Sequence, residues 1–168
     1  MKKKRILVAG IGNSFRCDDR AGLLISEFVS DAISCTPFEA VIEVKKLSGE
    51  GAELMQEWEG YECVYLADAS QAFGNPGKLT RIDAHSTPLQ QDYFHYSSHN
   101  FSLAEAVELA KQLGKLPQKL IIYAVEGLSF SFGLNVTFEV EISSLDAARK
   151  ILNEIAYVSG KTENYQMQ

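Results

Sequence analysis

Ile6-Leu7-Val8-Ala9-Gly10-Ile11-Gly12-Asn13 runs on through Cys17-Asp18-Asp19 into Ala21-Gly22-Leu23-Leu24-Ile25, and the reading of this stretch decides the fold. Residues 5–9 are a short, nearly continuous apolar run, the pattern of a strand covered on both faces and so of a parallel sheet. The glycines permit a tight turn at its end. From about Asp19 to Ile33 the apolar residues Leu24, Ile25, Phe28, Val29, Ala32 and Ile33 recur at helical spacing, and Pro37 lies past the end. A buried strand, a glycine turn and a helix entered through two acidic residues place carboxylates at one edge of a sheet.

Working outward, Val41, Ile42, Val44 and Leu47 mark a second strand over 40–47, stopped by Ser48-Gly49-Glu50-Gly51 and followed by a short helix from Ala52 to Glu59. Val64-Tyr65-Leu66-Ala67-Asp68 is a third strand, apolar until an aspartate at its carboxyl end. Gly74-Asn75-Pro76-Gly77 is a turn, and Lys78 to Asp83 alternates as a strand suited to an antiparallel edge. Residues 84–98 read as a loop containing His85 and His95. A helix is expected over about His99 to Leu113, stopped by Gly114, although the capping-box spacing of Ser102-Leu103-Ala104-Glu105 allows a later start. Leu120 to Val125 is the fourth buried strand, ending at Glu126-Gly127. The alternation of Val136, Phe138, Val140 and Ile142 predicts an exposed strand or extended arm. A last helix, about Ser144 to Val158, turns Leu145, Ala148, Ile151, Leu152 and Ile155 inward.

Strands alternating with helices make the fold class α/β: a three-layer α/β/α sandwich around a mainly parallel, twisted sheet. A single domain over 1–158 and a flexible tail over 159–168 account for the 168 residues, enough chain to bury a core without staples. The net charge of −6 argues against a nucleic-acid or membrane partner, because the sole basic run, Lys2-Lys3-Lys4-Arg5, suffices only to solvate the first strand. With no apolar run of 18 residues and no signal-peptide pattern, a cytoplasmic protein is expected. The 3 cysteines are odd in number and lack C-x-x-C spacing, so they suggest neither a disulfide framework nor a zinc knuckle; Cys35 and Cys63 read as packing residues, and Cys17 sits within the glycine turn.

As a dinucleotide fingerprint the glycine turn fails, since Phe15 occupies the third glycine position and Lys45-Lys46 the region of the ribose-binding acid. The acidic pair is more informative. Asp18 and Asp19 stand where a helix N-terminus favours negative charge; one suffices as a cap, leaving the other for different work. Asp68, at the end of a buried strand, needs solvent, a hydrogen bond or a metal, or it serves to cap the next turn. His99, taken alone, reads more readily as a polar residue opening a helix than as a ligand. This fold gathers all three positions at one end of its sheet, and two carboxylates with an imidazole suit nickel, zinc, manganese or iron with coordination positions left open. No serine or cysteine nucleophile has a convincing partner, and no G-x-S-x-G elbow occurs.

The opening Ile6–Asn13 with Asp18-Asp19, Leu66-Ala67-Asp68-Ala69, the Pro76-Gly77 turn, Ser98-His99-Asn100-Phe101-Ser102-Leu103 and Val125-Glu126 together resemble the [NiFe]-hydrogenase maturation endopeptidases, in the same order over about residues 5–155. The resemblance implies a hydrolase that removes the C-terminal extension of a hydrogenase large-subunit precursor. It places the family's metal-contacting acidic residue on Asp19, its second on Asp68 and its histidine on His99, which would be both the catalytic and the metal-contacting residues. It further implies that nickel is carried by the substrate rather than bound permanently, other divalent metals being able to occupy the site, so that cleavage waits for metal delivery. Lys46-Leu47-Ser48-Gly49 departs from the family's acidic residue and paired glycines after the second strand, and Arg20 replaces a small residue; both bear on substrate identity. The alternative expectation is a non-proteolytic, metal-sensing binding module or chaperone for a metalloenzyme precursor.

Overall fold

The structure is a computed structural model describing residues 3–35, 38, 40–90, 93–94 and 101–160. In chain order it contains β1 (Arg5–Ile11), a 3-10 turn (Cys17–Arg20), α1 (Ala21–Ser34), β2 (Val41–Leu47), α2 (Gly51–Glu57), β3 (Cys63–Ser70), β4 (Leu79–Asp83), α3 (Leu103–Gln112), β5 (Lys119–Glu126) and α4 (Phe138–Val158). The strands form one sheet in the order β2-β1-β3-β5-β4. β2, β1, β3 and β5 run parallel, whereas β4 pairs antiparallel with β5 at the edge, as the 78–83 pattern predicts.

Apolar residues of both parities line the central strands because each face has its own cover. Val64, Leu66, Leu120 and Ile122 pack in one core with Leu54 of α2 and Val107 of α3. Tyr65, Ala67, Ile121 and Tyr123 point to the other core, with Ile25 of α1 and Ile151 of α4. Alternating side chains on a strand therefore all find apolar company, and β3 is buried along its whole length. The arrangement is the expected three-layer sandwich. Among the described residues no helix is long and apolar enough to cross a membrane.

Four local expectations are corrected. The alternation from Val136 to Ile142 is not a strand: Thr137 is the N-cap of α4, and Phe138 already lies within it. Val140, Ser144, Ala147, Ala148 and Ile151 form one buried helical stripe, while Phe138 and Ile142 face solvent, so the period-2 pattern arises from exposed apolar residues interleaved with a 3.6-residue face. Leu145 falls off that stripe and is exposed. Cys35, expected to pack, is exposed just beyond α1, whereas Cys63 is buried. The helix expected from His99 begins at Leu103, where the Ser102 hydroxyl accepts from Glu105 N–H and the Glu105 carboxylate accepts from Ser102 N–H, the capping box noted in the sequence. His99 and His95 lie outside the described residues, as does most of the expected tail.

Candidate active site

The carboxyl end of β1 is shaped by contacts that exclude side chains. A Cβ on Gly22, at the start of α1, would run into the carbonyl oxygens of both Ile11 and Ala67, so the helix sits directly on the ends of β1 and β3. Gly12 has a φ of +148°, and a Cβ there would run into the carbonyl oxygen of Asp19. These glycines set the backbone of the Asp19 turn against the mouth between β1 and β3. From β1 the chain crosses to β2 on one side, while β3 and β5 lie on the other, so this mouth is the switch point where parallel α/β sheets form their crevices.

Asp68 reaches the same mouth from β3, one residue beyond Ala67 and in register with Ala124. Its Oδ1 accepts a hydrogen bond from Ala69 N–H at 2.8 Å. Asp19 and Asp68 are each only 8% exposed. Burial, joined by the negative charge of Asp19, pushes the Asp68 carboxyl well above the usual carboxylate range against the single opposing bond from Ala69. Burial also raises Asp19, opposed by the positive charge of Arg16 and a hydrogen bond from Asn13 N–H. The two buried carboxyls thus feel one another, and burial favours the protonated form of both. The structure brings together these two of the three predicted site residues; the third, His99, lies outside the described residues. Among the described residues, no group of three His, Cys, Asp or Glu side chains is placed to hold a metal ion. Carboxylate oxygens are donors that fit a divalent cation, and Asp68 has few hydrogen bonds competing for them.

Asp18 does not cap α1. Arg20, the N-cap of α1, makes no side-chain cap bond. Instead the fully buried Asp18 carboxylate reaches across to the segment between β5 and α4. Its Oδ2 accepts from Leu128 N–H at 2.8 Å, Ser129 N–H at 2.9 Å and Thr137 Oγ1 at 3.0 Å, and its Oδ1 accepts from Thr137 N–H at 2.7 Å. Backbone pairing reinforces the junction, with Cys17 N–H donating to Gly133 O and Gly133 N–H to Phe15 O, both at 3.0 Å. Cys17, with φ of 34°, makes the turn that permits this docking. Its Sγ lies 3.8 Å from Ser131 Oγ, a contact that gives the thiol no general base.

Glu126 plays a similar part at the end of β5. Its buried Oε1 accepts from Phe73 N–H and Asn75 N–H, both at 2.7 Å, fixing the turn that returns to β4. Neither role was legible from local spacing, because both sets of partners lie far away in the chain. On the other side of the mouth, Gly51 N–H at the start of α2 donates to Phe101 O at 2.9 Å, which ties the approach to α3 to the same edge of the sheet.

The sequence model of the hydrogenase maturation protease family matches residues 47–154. The hydrogenase 2 maturation protease of Escherichia coli (strain K12) is 27% identical over 141 residues, covering 82% of this chain and 84% of that protein. The solution structure of an endopeptidase from Escherichia coli superposes with a TM-score of 0.73 at 25% identity, covering 94% of each chain. The hydrogenase maturating endopeptidase HybD from E. coli has the same fold, with a TM-score of 0.69 at 22% identity over 93% of this chain and 94% of its own.

Proposed function

Because the chain belongs to the hydrogenase maturation protease family, we propose that it removes the C-terminal extension of a [NiFe]-hydrogenase large-subunit precursor, and that nickel already delivered to that precursor is what its site recognises. The observation that carries this reading is the pair Asp19 and Asp68, buried together at the switch point with little else to satisfy their oxygens. Two adjacent carboxylates that cannot both ionise comfortably are poor hosts for a neutral peptide and good hosts for a divalent cation, which stabilises both charges at once. Nickel is therefore part of the substrate, and the pair distinguishes a loaded precursor from an empty one. His99 is proposed as the third contact.

The chain's own contribution to hydrolysis is proton handling. Water adds its oxygen to the scissile carbonyl carbon, the carbon–nitrogen bond breaks, and the departing amine gains a proton. Asp19, whose charge is favoured by the positive charge of Arg16, is assigned to accept the water's proton and pass it on to the amine. Asp68 is assigned to hold the nickel-bearing end of the substrate in line. The test is the mass of a nickel-loaded precursor before and after incubation with the protein. Loss of a mass equal to the extension is expected; an unchanged mass with retained binding would replace the protease reading by that of a metal-sensing binding module.

A further inference from the structure

The Asp18 junction holds an unusual surface in place. Phe15 is 66% exposed, Phe132 82%, Leu134 63% and Leu128 55%. The bridge between Arg16 and Gly133 runs parallel, which sets Phe15 alongside Phe132, and the Arg16 guanidinium stands 5.3 Å from the Phe132 ring centre. Large apolar side chains scattered over a surface need no explanation, but these four lie on two segments that pair with one another, Phe15 on one and Leu128, Phe132 and Leu134 on the other. The segments are fixed by backbone pairing and by a fully buried carboxylate accepting four hydrogen bonds. The four hydrogen bonds offset the cost of burying the Asp18 carboxylate and hold the segment that carries Leu128, Phe132 and Leu134 in a fixed place.

We propose that Phe15, Leu128, Phe132 and Leu134 form the docking ridge for an apolar segment of the precursor next to the scissile bond, with Asp18 as the residue that positions it. The proposal rests on the protease reading above and adds where the substrate chain is gripped. Continuity with the carboxylate pair supports it: Asp18 and Asp19 are neighbours, Asp19 N–H donates to Arg16 O at 2.8 Å, and Arg16 acts on both the Asp19 charge and the Phe132 ring. A chain crossing Asp19 and continuing over the turn meets the ridge at once. Size argues against a second copy of this protein as the occupant. The four side chains offer roughly 500 Å², short of the ~800 Å² per partner of a stable interface. That area suits a substrate that must leave after one cut.

The ridge residues are exposed, so Phe132→Ser combined with Leu134→Ser should fold, and Phe15→Ser probes the other segment independently. The probe is a full-length large-subunit precursor without nickel, which the proposed function leaves uncut, so its Kd is read without turnover; the wild type should bind it through the ridge, and no measurable binding overturns the ridge. Each variant should weaken binding about tenfold or more, and a nickel-loaded precursor should suffer the same loss in KM, since an apolar contact is indifferent to the metal. Unchanged Kd in both variants overturns the ridge. So does a wild-type protein that self-associates through the ridge, becoming monomeric in the variants with precursor affinity intact. A parallel cleavage assay of Asp68→Ala separates the two levels: wild-type cleavage there would sink the protease site, while Kd alone decides the ridge.

Discussion

Replacing Asp18 by alanine removes the acceptor of four hydrogen bonds at once, two to Oδ2 from successive amides, one from a hydroxyl, and one to Oδ1 from Thr137 N–H. A hydrogen bond to a charged group contributes about 1.5–3 kcal/mol, so simple addition would give roughly 6–12 kcal/mol. The sum overstates the loss because residues 128–137 lie near the surface, and the freed amides can turn to water once the segment lifts. We therefore expect Asp18→Ala to cost about 3–5 kcal/mol, the range for breaking a buried charged network. For a chain of this size that corresponds to a fall in Tm of roughly 6–20 °C. Asp18→Asn keeps the shape and one acceptor oxygen and should lose about half as much. Urea denaturation gives the free energy, and amide hydrogen exchange locates it: Leu128, Ser129 and Thr137 should lose protection while the amides of β3 keep theirs. A variant within about 1 kcal/mol of wild type, with those three amides still protected, would refute the assignment of Asp18 as the latch.

Other consequences are as direct. Gly12→Ala forces a Cβ at φ +148° into the Asp19 carbonyl and should abolish precursor cleavage while lowering stability by about 1–3 kcal/mol; full activity with an unchanged melting curve would contradict the geometric role of the turn. Asp68→Asn removes a carboxyl that the folded protein protonates more readily than the unfolded chain does. Its ionisation is thus a cost that grows as pH rises above the unfolded value, so the variant should be inactive yet more stable by about 0.5–2 kcal/mol at pH 7. That gain should vanish in acid, and a gain independent of pH would be inconsistent with this origin. Glu154 on α4 is the opposite case: burial alone would raise its carboxyl, but Arg81, Lys119 and the Tyr123 hydroxyl together hold it down to about 2. Its contribution is present above the ordinary value of 4.5 and fades as pH falls toward about 2. Glu154→Gln should cost about 2 kcal/mol at neutral pH and progressively less below the ordinary value, as followed by thermal melts; a penalty that stays constant would refute it.

The parts of the molecule legible in the sequence are those governed by neighbours. Residues 6–9, 64–67 and 120–125 announce buried parallel strands because both faces demand apolar side chains, and Ser102 with Glu105 announces the start of α3 because a capping box spans only four residues. The meeting of Asp68 with the Asp18-Asp19 pair was also readable, since topology brings the ends of β1 and β3 together, but the choice of Asp19 within the pair came from the family resemblance. The role of Asp18 was not readable, because its partners lie 110 to 119 residues away and a lone acidic residue before a helix looks like a cap. Glu126 was hidden in the same way, its amide donors being 51 and 53 residues distant. The start of α4 misled for another reason. Phe138 and Ile142 are apolar but face water, and exposed apolar residues carry no signature distinguishing them from a core stripe.

The central claim joins a metal-bearing substrate to a pair of buried carboxylates, and one assay tests both halves. Nickel-loaded and nickel-free large-subunit precursors are each incubated with wild-type protein and with Asp68→Ala, and the mass of the precursor is read over time. The account predicts loss of the C-terminal extension in only one of these combinations, wild type with loaded precursor. Cleavage at equal rates in all four, or in none while the wild type still binds the loaded precursor, would contradict it.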